Sequence, residues 1–238
     1  MLKRLMLALA LMACASMSWA AQLGEDGLHK EDWFSVTFRD VNEDIAAAAA
    51  KGKRLALIFE QRGCVYCKQL HEELLSDPQV RDYIKSNFEV VQYNLYGAEE
   101  VIDLDGSKHT EKSAARKWGI VFSPTILFMP EKSIAGMDVR QAAVAVMPGL
   151  FRKGTFLDMF YWVREKRYTT DEDFQRYHAR RIRERVGDRL VRPRDQAGRE
   201  RADVQRGGQM HVFGAAAAHQ LPAGATGPQH LQQALPRV

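Results

Sequence analysis

Apolar and polar positions alternate in W-F-S-V-T-F (33–38), which predicts a strand, and the alanine-rich run V-N-E-D-I-A-A-A-A-A-K (41–51) predicts a helix stopped by Gly52. R-L-A-L-I-F-E (54–60) is apolar at most positions, the pattern of a short central strand buried on both faces. From Cys64, the run C-V-Y-C-K-Q-L-H-E-E-L-L carries apolar residues at Val65, Leu70, Leu74 and Leu75, acceptable for a helix with two cysteines in its first turn. Asp77-Pro78 opens another short helix, P-Q-V-R-D-Y-I-K, and F-E-V-V-Q-Y-N-L (88–95) supplies a second β-rich run. Residues 96–109 are polar and turn-prone, and helix resumes through T-E-K-S-A-A-R-K-W with Gly119 as its stop. F-S-P-T-I-L-F-M (122–129) predicts a strand entered through Pro124, with A-A-V-A-V-M (142–147) as its hairpin partner. G-T-F-L-D-M-F-Y-W-V-R-E-K (154–166) closes the pattern as a helix with Phe156, Phe160 and Val163 on one face. Strands and helices interleaved in this order predict an α/β fold whose sheet is covered on both faces.

The two ends depart from this texture. Lys3 and Arg4, the apolar run L-M-L-A-L-A-L-M-A and the small residues at Ser18 and Ala20 predict a secretory signal over 1–20, too short in its apolar part to span a bilayer. The alternative is L-M-A-C (11–14), which resembles a bacterial lipobox with Cys14 as the lipidated residue; both readings place the mature protein outside the cytoplasm. From Gly187 the chain turns to Gly, Ala, Pro, Gln and Arg with one aromatic, Phe213, and no lysine follows Lys166. Such a segment buries too little apolar area to offset its ordering entropy, so the expected organisation is a signal at 1–20, a folded domain at 21–186 and a disordered tail at 187–238. Composition adds little: 46% hydrophobic and 27% charged residues are ordinary for a globular protein. A formal charge of +4, without a basic stripe interleaved with aromatics, argues against a nucleic-acid partner.

Candidate chemistry lies in G-C-V-Y-C-K (63–68), which holds two of the three cysteines. A C-x-x-C that opens a helix after a buried strand sets its first sulfur beside unpaired backbone N–H groups and the positive end of the helix dipole, which favours thiolate. Cys64 is then the candidate nucleophile, and Cys67, one turn deeper, the group that resolves a mixed disulfide. A metal site is the competing reading, because Cys64, Cys67 and His71 fall on adjoining helical positions and His109 offers a fourth ligand. Without a second C-x-x-C that reading is the weaker, and His71 alone reads as a surface histidine flanking the site. A purely structural disulfide across four residues closes too small a loop to constrain the unfolded chain much.

The run L-I-F-E-Q-R-G-C-V-Y-C-K, with F-S-P-T-I-L-F and P-G-L-F-R-K-G-T-F-L, resembles the thioredoxin superfamily over about residues 30–185. More narrowly it is similar to exported thioredoxin-like proteins of bacterial sulfur-oxidation systems. The resemblance implies a thioredoxin fold, a central mixed β-sheet flanked by helices, with a cis proline facing the cysteines at Pro124 and with Ser123 and Thr125 beside it. Thioredoxins typically carry a buried acid six residues before the nucleophile, where this chain has Ile58, and a Trp just before it, where this chain has Gly63. Glu60 is the nearest carboxyl, either a base acting directly or through water or a solvated strand-end glutamate. The middle pair Val65-Tyr66 is closer to the x-Tyr pairs of glutaredoxins and periplasmic disulfide isomerases than to Gly-Pro, which leaves the direction of electron flow open.

The expected function is a periplasmic thiol-disulfide oxidoreductase that reduces protein disulfides. Cys64, Cys67, Pro124 and Glu60 would be its catalytic set, and Ser123, Thr125 and Tyr66 its substrate groove. No bound cofactor is expected, since the dithiol carries both electrons, and the resemblance implies a membrane electron donor of the cytochrome-biogenesis type. An isomerase or oxidase is the alternative within the class, and a metal-binding or chaperone-like module the alternative outside it. Isomerases of the superfamily commonly depend on an added dimerisation domain, for which 21–33 and the tail offer no material, and oxidases on an enlarged helical cap, where 96–117 is short and polar.

Overall fold

The computed structural model describes residues 22–134 and 136–191. The predicted signal, with Cys14, lies outside the described residues, as does the predicted tail beyond residue 191. The chain divides after Arg189 into two units, and the packing below is that of the first.

A small hairpin, β1 (Gln22–Leu23) against β2 (His29–Lys30), leads to α1 (Val41–Ala50), whose Asp40 cap accepts from the N–H groups of Asn42 and Glu43. Then come β3 (Arg54–Glu60), α2 (Val65–Gln69) running into a π-helical turn (Leu70–Leu75), α3 (Pro78–Asn87) and β4 (Phe88–Asn94). A second hairpin, β5 (Glu100–Ile102) with β6 (Lys108–Thr110), precedes α4 (Glu111–Lys117), β7 (Thr125–Phe128), α5 (Val139–Ala142) and β8 (Ala145–Pro148). Helices α6 (Lys153–Arg164) and α7 (Phe174–Val191) follow, separated by a 3₁₀ turn at Arg167–Thr169. The main sheet has the order β4-β3-β7-β8, with β3 and β4 parallel and the other pairs antiparallel.

Strand β3 is buried along its whole length, and its alternation divides the core. Leu55, Leu57 and Phe59 face one layer with Val41, Ile45, Tyr93 and Trp118. Ala56 and Ile58 face the other, where Leu70, Ile84, Phe88, Phe128 and Phe160 pack. Glu60 shares the parity of the second set, and so it belongs to the layer that holds the cysteine helix.

The predicted strand at 33–38 is not one. Adjacent Trp33 and Phe34 both pack inward, which breaks the period of two, while Val36 and Phe38 stand in solvent, Phe38 at 93% exposure. A single ladder-like bond, Ser35 N–H to the Val90 carbonyl at 2.7 Å, ties this segment to the edge of β4. The polar stretch 96–109 contains the β5–β6 hairpin, and α7 continues through Gly187.

Candidate redox site

After β3, Gly63 adopts φ +72°, a conformation that glycine takes without strain, and turns the chain into α2. Nothing lies within 4 Å of where a Cβ would stand there, so the backbone angle rather than space calls for glycine where thioredoxins have Trp. Cys64 is the N-cap of α2, and its Sγ accepts the Cys67 N–H at 3.0 Å. Cys64 and Cys67 form a disulfide with Cα atoms 5.2 Å apart. The two sulfurs differ in access: Cys64 is half-buried at the surface of the site, whereas Cys67 is 1% exposed.

Opposite stands the loop before β7, where the Ser123–Pro124 peptide is cis. The Ser123 hydroxyl donates to Cys64 Sγ at 3.4 Å, and the Ser123 carbonyl oxygen lies 3.5 Å from the same sulfur. Pro124 is buried, its carbonyl accepting the Gly149 N–H at 2.6 Å. Thr125 is buried too, and its hydroxyl donates to the Phe122 carbonyl at 2.8 Å, so its side chain braces the loop from within. Around the half-buried sulfur, Val65 and Tyr66 on the cysteine helix and Val121 and Phe122 on the loop are exposed.

Burial decides against two of the readings offered for Glu60 and His71. The solvated reading of Glu60 fails, since Glu60 is 0% exposed, and His71 is no surface histidine at 1%. His71 Nε2 bonds Glu60 Oε1 at 2.9 Å, and Nδ1 bonds Glu31 Oε1 at 2.9 Å. The Gln92 amide donates to the other Glu60 oxygen at 2.7 Å, and the Trp33 indole N–H donates to Glu31 at 3.1 Å. The π turn explains the burial of His71: the wider turn, marked by Ser76 N–H donating to the His71 carbonyl, brings neighbours inward in pairs, Leu70 with His71 and Leu74 with Leu75. Burial alone pulls the imidazolium down, but the hydrogen bonds of Glu31 and then Glu60, with their charges, push it up to about 9.

The residues of the metal reading are otherwise engaged. Both sulfurs are in the disulfide, both ring nitrogens of His71 are held by carboxyls, and His109 on β6 bonds Ser107 at 2.8 Å. Glu31, which no local motif marks, is the site residue that sequence reasoning missed; it lies 40 positions before His71.

The family model described as a thioredoxin-like domain matches residues 41–138. A thioredoxin-fold protein from Helicobacter pylori is 20% identical, with 64% of this chain and 94% of that one covered at a TM-score of 0.50. A thioredoxin from Thermus thermophilus is 24% identical (52% and 83% covered, TM-score 0.41). The C-terminal domain of Neisseria meningitidis DsbD, in the oxidised form, is 14% identical (53% and 97% covered, TM-score 0.35). No curated protein matches the chain. The narrower similarity to sulfur-oxidation proteins is not shown by these matches. What the sheet order, the Cys64–Cys67 helix and the structural likeness establish together is the thioredoxin fold, within which residues 41–138 are similar to the thioredoxin-like domain family.

Proposed function

We propose that the protein is a thiol-disulfide oxidoreductase that reduces protein disulfides outside the cytoplasm. The observation that carries this reading is the unequal access of the two bonded sulfurs, Cys64 at the surface beside Ser123 and Cys67 buried behind it. In the reduced protein the Cys64 thiolate, at the helix N-cap, attacks one sulfur of a client disulfide; a Cys64–client bond forms and the client S–S bond breaks. Cys67, deprotonated, then attacks Cys64 Sγ, re-forms the internal disulfide and expels the second client sulfur. Two electrons pass to the client, and the dithiol needs no bound cofactor to carry them. Ser123 offers its hydroxyl to the sulfur that changes partners, while Tyr66 and Phe122 give the client an apolar rim.

The reductase direction is supported by the segment before Pro124, which is a short hairpin and a seven-residue helix rather than an enlarged helical cap. The signal-like residues 1–20 support export to the periplasm, where a reductant must be recharged by a dithiol donor in the membrane, of the cytochrome-biogenesis type.

The test is a pair of variants. Cys64→Ser should abolish disulfide reduction, and Cys67→Ser should accumulate client mixed disulfides visible on a non-reducing gel. Equal trapping by both would remove the assigned roles. Equilibration with glutathione should place the couple nearer thioredoxin, roughly −270 mV, than the strong-oxidant value of about −120 mV, and a value above about −150 mV would make the protein a disulfide donor instead.

A further inference from the structure

Resolution by Cys67 needs a base, because a thiol buried in apolar surroundings holds its proton. The residue six before Cys64, where thioredoxins have an acid, is Ile58. Alternation along β3 puts Glu60 on the same face as Ile58, so a carboxyl two positions on still enters the layer of the cysteine helix, where it bonds His71. His71 follows Cys67 by four residues, the spacing that makes neighbours on a helix face, and both are 1% exposed.

We propose that His71 and Glu31 are positioning residues that hold Glu60 as the proton acceptor for Cys67. This deepens the oxidoreductase reading and rests on it. Two donors converge on Glu60, His71 Nε2 on one oxygen and the Gln92 amide on the other, so the carboxyl is fixed in orientation while each oxygen keeps a further lone pair for a proton. Glu31 fixes the ring from its far side at Nδ1 and offsets its charge. Every packed element contributes to this field: His29 from β2 at 5.5 Å between ring centroids, Lys30 through its bond to Gln92, Gln92 from β4, Glu31 after β2 and Glu60 from β3. The uncharged wall is Phe34, 5.8 Å from the His71 ring. In the resolving step the Cys67 proton passes to the Glu60 carboxylate as the Cys67–Cys64 bond forms and the Cys64–client bond breaks. The client sulfur leaves as thiolate.

The reduced full-length protein mixed with 5,5′-dithiobis(2-nitrobenzoate) reports the two steps separately without a protein client. A bimolecular release of thionitrobenzoate marks attack by Cys64, and a unimolecular release marks resolution by Cys67. Glu60→Gln should slow the second phase about 100-fold, within the range of general-base contributions, and leave the first unchanged. His71→Gln should slow the same phase about tenfold and make it rise steeply with pH, as the thiol comes to depend on hydroxide in place of a held base. Glu31→Gln should fall between His71→Gln and the natural protein. A second phase unchanged in folded Glu60→Gln and His71→Gln protein overturns the proposal. Where a variant does not fold, the ring of His71 in the natural protein decides by ¹⁵N NMR: protons on both nitrogens up to about pH 9 support the clamp, and a midpoint near 6.5 overturns it. Failure to reduce insulin with both phases intact would count against the reductase reading and leave the clamp standing.

Discussion

Two clusters in this molecule each join a histidine to a buried carboxyl, and they are opposites in charge. Beneath the cysteine helix one imidazole stands between two carboxyls, Glu31 and Glu60. Between α6 and α7 one carboxyl, Asp158, is ringed by His178 at 2.7 Å, by Arg185 at 2.8 and 2.9 Å in a bidentate pair, and by Arg181 at 3.5 Å. Burial pushes the Asp158 carboxyl up, but Arg185 and His178 outweigh it and hold the group below its ordinary range. With cations in excess around Asp158, the second cluster serves as a latch. In the first, the lone cation is the group whose proton is shared, and its charge changes on the alkaline side. The ratio of partners thus sets which member of each cluster changes charge, and at which end of the pH range.

The largest effect that tests this contrast is on stability. Asp158→Ala leaves His178 and two guanidinium groups, each about a third open to water, without their partner, and losing several hydrogen bonds to one charged group costs up to about 3 kcal/mol. Urea unfolding should show that loss, while the folded fraction keeps the natural rate of Cys64 attack. A cost below about 1 kcal/mol would mean that α7 is held by apolar contacts such as the fully buried Tyr177, and the latch would be incidental.

A second effect separates the clusters by pH. His71 has a folded value raised from 6.5 to about 9, so its contribution is fully present below pH 6.5 and is lost as pH rises through about 9. The loss is at most about 3 kcal/mol by linkage. The Asp158 value is lowered, so its contribution is present above the ordinary carboxylate value of 3.8 and is lost as pH falls below it. Urea midpoints from pH 3 to 10 should therefore decline at both ends. His71→Gln should flatten only the alkaline limb, and a limb unchanged in that variant would dissociate it from the cysteine-side cluster.

Much of this arrangement was legible in the chain and part of it was not, for physical reasons. R-L-A-L-I-F-E announced β3 because a strand buried on both faces needs no partner to be recognised, and C-V-Y-C announced the cysteine helix. The strand expected at 33–38 failed because alternation does not reveal which neighbours will meet the chain, and there the sheet edge meets it at Ser35 alone among the described backbone bonds. The three-residue strands β5 and β6 carry mostly polar side chains, below the length at which a pattern can be read. Helix α7 is rich in arginine, and its reason to dock, Asp158, lies in another element. Glu60 was visible as a carboxyl near the cysteines, but its burial and its bond to His71 follow from a π turn and from Glu31, neither of which has a local signature.

The smallest effect concerns where the latch ends. Arg185 is the last described side chain that reaches Asp158. A chain ended after Gly187 keeps His178, Arg181 and Arg185, and its stability should match that of the full chain within about 0.5 kcal/mol, the range of changes that touch no buried feature. A chain ended after Ala179 keeps His178 but loses both arginines, and should approach the cost of Asp158→Ala, because Asp158 would then be buried with a single partner. Cooperative destabilisation on removing only residues 188–238 would show that the segment after Gly187 packs on the domain. The boundary between a folded body and a tail would then lie further along the chain than the cation-rich latch implies.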